Sequence, residues 1–460
     1  MKKIFFLGIF IFLSGTLFSQ ITITINGNMS IQEAIDQIAA SPSKRGTIII
    51  QTDQVLTTGC NIPENCEIIL SSDGVHSILK SAAYNSYMIS IATGAILTLK
   101  AETLNDSLIF DGQKNLPAHA FYNNYASVLL NYGTINLFDQ VKICNNRAGK
   151  GGAIYNYTSS NSICNMYGGL LCDNEALQGG AIHNDANNYF NLYNGSISHN
   201  VADNEGGGIF NFNGTLTVYD GTISYNNAKK GGGLHSPNFI YGGIIENNNA
   251  SESGGGVYCS GNCIMNNGTI SLNESVMGGG VFIFGSFIQS GGIITQNTAS
   301  IGAGIYHRGS NFEMSGSALV DTNNKVFLNI SYGSFIKTIR IGDSLTYNPA
   351  AFLDLYLYRN ELTVLTSSDP ALLDENFQKF KLDNSQYFIN HLGKLEFQKS
   401  IISLSSDSVS LCPNTDQELD IYTRSSLSTE GETGNIKYII YQGSQIVSDS
   451  NLTLRFYNTY

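Results

Sequence analysis

Charge is scarce in this 460-residue sequence: Asp, Glu, Lys and Arg make up 13% of it, about half the share usual in globular domains. Its 24 Lys and Arg are outnumbered by 36 Asp and Glu, for a net charge of −12. Beyond Lys2-Lys3 at the N-terminus, the only adjacent bases, Lys44-Arg45 and Lys229-Lys230, stand alone. Phosphate recognition needs clustered cations, so nucleic acid is excluded as a partner and anionic surfaces fit poorly. The eight cysteines are too few for a disulfide scaffold and form no C-x-x-C pair, which leaves no structural zinc site. Tryptophan is absent. After the N-terminus no run approaches the ~20 apolar residues of a membrane-spanning helix. The first cysteine is Cys60, so a lipid anchor on a processed N-terminus has no support.

The only long apolar run lies at the start, where Lys2 and Lys3 precede Ile4 to Phe18 and Ser19 follows. This is the pattern of an export signal over residues 1–19. The remaining chain is longer than one globular core usually organises, which points to several domains or to an elongated repeat. Glycine, at 48 residues, favours the repeat.

That repeat is explicit. Gly-Gly-Ala-Ile-Tyr at 151 recurs as GGAIH at 179, GGGIF at 206, GGGLH at 231, GGGVY at 254, GGGVF at 278 and GAGIY at 302, at spacings of 28, 27, 25, 23, 24 and 24 residues. A second motif runs out of phase: ICNNRA from Ile143, LCDNEA from Leu171, ISHNVA from Ile197, ISYNNA from Ile223, IENNNA from Ile245, ISLNES from Ile270 and ITQNTA from Ile294. Units so rich in Gly, Asn, Ile and Thr do not make stable helices, and short alternating stretches such as Leu216-Thr217-Val218 read as strands between turns. The expectation is about three strands per period, stacked as parallel in-register sheets with a rise of ~4.8 Å. The fold class is therefore all-β, a right-handed parallel β-helix.

Each coil position then acquires a role. Ile154, Ile182, Ile209, Leu234, Val257, Val281 and Ile305 form an inward aliphatic row. The glycines mark a corner that a Cβ would obstruct. Asn146, Asn174, Asn200, Asn226, Asn248, Asn273 and Asn297 share one position, where carboxamides can form a structural ladder between coils.

These G-G-A-I and Asn repeats resemble those of the chlamydial polymorphic outer-membrane proteins and of bacterial right-handed β-helix repeat proteins, over roughly residues 90 to 330. The resemblance implies an exported or surface adhesin on a Gram-negative bacterium. The C-terminal translocator barrel of the chlamydial relatives is not recognisable in this sequence.

Residues 20–340 are expected to form the β-helix. Ser30-Ile31-Gln32-Glu33 is a capping box, and Ile31, Ala34, Ile35 and Ile38 share one helical face, predicting an N-terminal helix similar in placement to the cap of pectate-lyase-like proteins. The first strand is expected at Thr47 to Ile50. Residues 341–400, with Leu353 to Tyr358, read as terminal coils or a β cap. Residues 401–460, with Ser408 to Pro413 and Lys437 to Tyr441, read as part of a small β-sandwich or as a truncated segment.

For function, parallel β-helices do host polysaccharide lyases and hydrolases. Glycosidic hydrolysis needs two carboxylates roughly 5–9.5 Å apart, yet Asp173, Asp185, Asp203 and Asp220 occupy different phases of the repeat. Arg147 lacks an acidic cluster in register. No corner carries the aspartate of a calcium-binding glycine roll. No catalytic residue, cofactor or metal is expected. Alternation puts the residue after each inward aliphatic outside, giving a stripe of Tyr155, His183, Phe210, His235, Tyr258, Phe282 and Tyr306 that either binds a ligand or only stabilises the sheet. Cys144 and Cys172 share a coil position and are expected as free or loosely paired thiols. The leading reading is a monomeric, non-catalytic, adhesin-like solenoid that binds carbohydrate or a host or matrix surface protein. A β-helix lyase or hydrolase is the rival, and a structural spacer the third possibility.

Overall fold

The computed structural model describes residues 20–397, apart from 28, 120–121, 158–160, 332–334, 356–361 and 386, together with 439–442 and 445–449. The export signal, Tyr356 to Tyr358, Ser408 to Pro413 and Cys412 lie outside the described residues. The chain divides into two units, Met1–Glu396 and Phe397–Tyr460. In the second, Ile439–Gln442 pairs antiparallel with Gln445–Asp449.

The first unit is a parallel β-solenoid. One coil shows its logic. Ile163–Met166 lies in sheet I, Leu170–Cys172 in sheet II, Glu175–Gln178 in sheet III and Ile182–Asn184 in sheet IV, after which Tyr189–Leu192 re-enters sheet I. Among the described residues the four sheets contain 14, 11, 7 and 13 strands. Alternation sends Cys164, Met166, Leu171 and Ile182 inward, where they are fully buried. Register holds from coil to coil, so that Ile154 pairs with Ile182 and Ile182 with Ile209. Like side chains therefore stack along one apolar column.

Coils in the span Arg147–Ile301 have four strands, not three. The extra strand, sheet III, is the short segment between the ladder asparagine and the glycines. Its buried Ala148, Ala176, Ala202, Ala228 and Ala250 stand apart from the main core. A segment without an aliphatic row looks like a turn in isolation; pairing with the coils above and below makes it a strand.

Two corners frame sheet III. At the first, Asn145, Asp173, His199, Tyr225, Asn247, Leu272 and Gln296 all hold φ between 53° and 58°. L-residues adopt this left-handed conformation at a cost of roughly 1–2 kcal/mol, and the next residue in each coil offsets it through the asparagine ladder. Asn174 donates from both N and Nδ2 to Asn200 Oδ1 at 3.1 Å, and the pattern repeats through Asn226, Asn248, Asn273 and Asn297 to Asn324. The ladder has a direction, with each residue donating to the following coil. At its head, Asn146 Oδ1 accepts from the buried Lys80 Nζ at 2.6 Å; burial pulls the Lys80 ammonium down to about 7. At its foot, Asn324 Nδ2 has no partner among the described residues. The second corner is glycine: Gly179 has φ 67°, and a Cβ there would stand 2.1 Å from Ile182 O.

The N-terminal helix, Ile31–Ala40, has both halves of its capping box and buries Ile31, Ala34, Ile35 and Ile38. The first strand is Ile21–Ile25, which precedes the helix and pairs in parallel with Arg45–Ile50. Thr47 to Ile50 is therefore the second strand of sheet I, not the first. Sheets I and IV continue past residue 340 as Ile339–Leu345, Ala351–Leu355, Leu365–Thr366 and Phe380–Leu382.

Candidate binding groove

Each strand of sheet IV over the glycine repeat begins with an inward aliphatic followed by an outward ring; in the first three coils an inward asparagine follows, as in Ile154-Tyr155-Asn156. Tyr155, His183, Phe210, His235, Tyr258, Phe282 and Tyr306 do form one continuous column, with neighbouring ring centroids 4.8–5.2 Å apart, and Phe327 extends it by one coil. They are not outside. All seven are buried, at 1–9% exposure. The cause is sheet III. Its closing position, held in register by Lys150, Gln178, Glu205, Lys230, Ser253 and Met277, lies beside the ring column. Lys150 Nζ sits 5.1 Å from the Tyr155 ring centre and Lys230 Nζ 5.8 Å from that of Tyr258, while Met277 packs against the cluster formed by Tyr258, Phe282, Tyr306 and Phe327.

Between sheets III and IV the surface opens into a groove of about 490 Å³, which reaches the His183, Phe210, His235 and Tyr258 rings, has Phe212 and Phe284 exposed in its lining, and is otherwise mostly polar. Asp185 is the acidic centre of one end. It accepts from Tyr155 Oη at 2.8 Å, lies 2.9 Å from His183 Nε2 and has Lys150 Nζ 3.7 Å away. Burial pushes its carboxyl up, but His183, Tyr155 and Lys150 outweigh this and hold it below the usual range. Burial raises the Tyr155 hydroxyl, and Asp185 raises it further. Glu205, from sheet III, lies 3.8 Å from Lys230 and 3.9 Å from His235 Nε2. Burial, reinforced by Lys230, drives His235 down to about 3, and burial lowers His183 in spite of Asp185. At neutral pH Asp185 is thus ionised, and the His183 and His235 imidazoles are uncharged.

The acidic residues separate clearly. Of Asp173, Asp185, Asp203 and Asp220, only Asp185 lines the groove. Glu205, which sequence reasoning passed over, lines the same groove because the residue before each glycine pair lies beside the ring column. Arg147 has one acidic partner in register and not a cluster of carboxylates. It pairs with Glu175 across adjacent strands, at 2.6 and 2.8 Å, and Lys114 joins the same carboxylate at 2.8 Å. Cys144 and Cys172 are register partners with free thiols. Cys259 and Cys263 form a disulfide that brackets the lining residues Ser260, Gly261 and Asn262. The C-x-x-x-C spacing was its only signal in the sequence.

A second ring column escaped the sequence reading. Phe138, Tyr167, Tyr193, Tyr219 and Tyr241 follow the strands of sheet I, with centroids 4.7–5.4 Å apart, and every ring is at least 36% exposed. The signal was there in Tyr-Gly-Gly at 167, Tyr-Asn-Gly at 193, Tyr-Asp-Gly at 219 and Tyr-Gly-Gly at 241.

Residues 140–157 match the Chlamydia polymorphic membrane protein repeat. The matched stretch contains Ile143, Asn146, the Gly151-Gly152 corner, Ile154 and Tyr155, which is one passage through sheets II, III and IV. The matched passage thus supplies one rung of the asparagine ladder, Asn146, and one residue of the groove lining, Lys150. No curated protein and no solved structure matches the chain. Among the described residues no helix is long and apolar enough to cross a membrane, which says nothing of strands that cross as a barrel.

Proposed function

We propose that this chain is an exported, surface-displayed, adhesin-like solenoid of a Gram-negative bacterium, without catalytic activity, whose groove between sheets III and IV binds carbohydrate on a host or matrix surface. The groove's lining carries the reading. Exposed Phe212 and Phe284 offer apolar faces, while Asp185, Glu205, Asn213, Asn238 and Asn262 offer polar partners for hydroxyl groups in a cavity of about 490 Å³. The buried column from Tyr155 to Tyr306 acts here as a rigid backing, with His183, Phe210, His235 and Tyr258 reaching the ligand. The polymorphic membrane protein repeat and the β-solenoid fold support a surface role.

One observation favours a second reading, that of a polysaccharide lyase or glycoside hydrolase: Asp185 and Glu205 border the same cavity. Against it, Asp185 is already committed to Tyr155, His183 and Lys150, which holds it ionised and unsuited to protonating a leaving group. The test is a glycan-array screen of the full-length exported chain, with reducing-sugar and unsaturated-product assays on the glycans that bind. Binding that weakens at least about tenfold in Phe212→Ala, with no product, is the expected result. Product release that disappears in Glu205→Gln would replace the adhesin reading with the enzymatic one.

A further inference from the structure

In the exposed column, the Tyr167, Tyr193 and Tyr219 rings lie within 4–22° of parallel with their partners, one per coil. Each interior ring spends both faces on its neighbours and gives solvent its edge and hydroxyl. Only a terminal ring has a face left for a ligand. At the N-terminal end, the coil before Phe138 carries Lys100 at this position. At the C-terminal end, the coil after Tyr241 carries Asn266, and the next carries Ser290. Asn266 turns away from the column, donating from Nδ2 to Ser290 Oγ at 2.9 Å. Phe239, two residues before Tyr241 on the same coil, flanks it with ring centroids 5.7 Å apart and planes 7° from parallel; among the described residues no ring of the following coil lies over Tyr241.

The surface beside this ring is a depression of about 420 Å³, lined by Tyr219, Asp220, Tyr241, Asn267, Thr269 and Ile293 over a backbone floor of Gly242, Gly243 and Gly268. Gly243 and Gly268 hold φ of 82° and 98°, so the floor stays free of side chains. We infer that this depression is a second binding site, distinct from the groove, in which a neutral hexopyranose of a glycan stacks on Tyr241 in the place of the missing sixth ring. The layer spacing of ~4.8 Å leaves room for one flat ring. The apolar face of a pyranose matches an aromatic face, and its equatorial hydroxyls meet the polar groups around the rim. Asp220 has an oxygen to offer, because only Oδ1 is engaged, by Gly221 N at 2.8 Å. Neither Asn267 nor Thr269 spends its side chain on a hydrogen bond among the described residues. An aromatic side chain of a protein partner would fill the same space but leave these groups unpaired. Asp220 is the only charged group in the lining, which selects against uronic acids and sulfated sugars.

The test is calorimetric titration of the full-length exported chain with cellohexaose, laminarihexaose, maltohexaose and hexagalacturonate. At least one neutral hexasaccharide binds. Tyr241→Ala weakens it at least about tenfold, the loss of roughly one stacking contact, while Tyr241→Phe stays within about twofold because the face is retained. Asn266→Tyr, which continues the column and covers that face while leaving Tyr241 in place, also weakens binding at least about tenfold. Circular dichroism confirms that each variant keeps its β signal, and the exposure of both positions makes that the expected outcome. Because the inference leans on the broader reading of a glycan-binding surface, Phe212→Ala separates the two sites: that variant loses the groove's share of the binding and keeps the share that Tyr241→Ala removes. Loss in Phe212→Ala alone overturns the second site and leaves the groove standing. The inference also falls if no neutral hexasaccharide binds, if Asn266→Tyr binds as the parent does, if Tyr241→Phe loses as much as Tyr241→Ala, or if hexagalacturonate binds best.

Discussion

Two aromatic columns run along the same solenoid, one ring per coil at nearly the same spacing, yet the Tyr258–Phe282–Tyr306 column is buried and the Tyr167–Tyr193–Tyr219 column faces solvent. Both arise from a residue on the outer side of its sheet. The difference is what the chain does next to them. Beside the first, the backbone turns at the ladder asparagine and returns as sheet III, whose Lys150, Lys230 and Met277 close over the rings. Beside the second, a glycine turn leads directly into sheet II, and among the described residues nothing returns to cover it. A periodic row of rings is thus a structural element or a recognition surface according to its neighbours, not its own sequence.

Substitution at matched positions breaks the comparison most sharply. Phe282→Ala empties a buried site between two stacked rings and should cost about 3–5 kcal/mol of stability, read as a lowered denaturation midpoint. The next effect separates the columns by pH. Because His235 is held at about 3 in the fold against an ordinary value near 6.5, its contribution is complete above about 6.5 and is lost as pH falls toward 3. The slope is at most about 1.4 kcal/mol per pH unit for each such histidine. Melting temperatures followed from pH 7 to 4 should fall less steeply in His235→Phe, which keeps the ring in the column; an unchanged slope would show that the buried imidazole accepts its proton without penalty. The smallest effect belongs to the exposed column. Tyr193→Ala should cost under about 1 kcal/mol, within the range of surface substitutions. A cost equal to that of Phe282→Ala would mean that the exposed rings, too, are structural.

The repeat announced itself in the sequence because a solenoid writes its period directly into the chain. The inward aliphatic row, the glycine corner and the asparagines from Asn146 to Asn297 could each be assigned from spacing alone. The helix at Ile31–Ala40 was legible because a capping box and an amphipathic face are local features. Sheet III was not, since the Glu175–Gln178 segment has no pattern of its own and becomes a strand only by pairing with the coils on either side. For the same reason the left-handed conformations of Tyr225 and Leu272 were invisible. Nothing in either side chain asks for positive φ; the following ladder asparagine imposes it.

The candidate site divides the same way. The identity and spacing of the rings at Tyr155, His183, Phe210, His235, Tyr258, Phe282 and Tyr306 belong to the sequence, and so does their outward orientation from sheet IV. Their burial, the meeting of Asp185 with Glu205 in one groove and the free face of Tyr241 belong to the tertiary structure. Period and alternation are properties of neighbours along the chain, which a sequence states outright. Exposure and convergence depend on what the same coil places opposite a residue after it has turned twice, and that distance is measured across the fold.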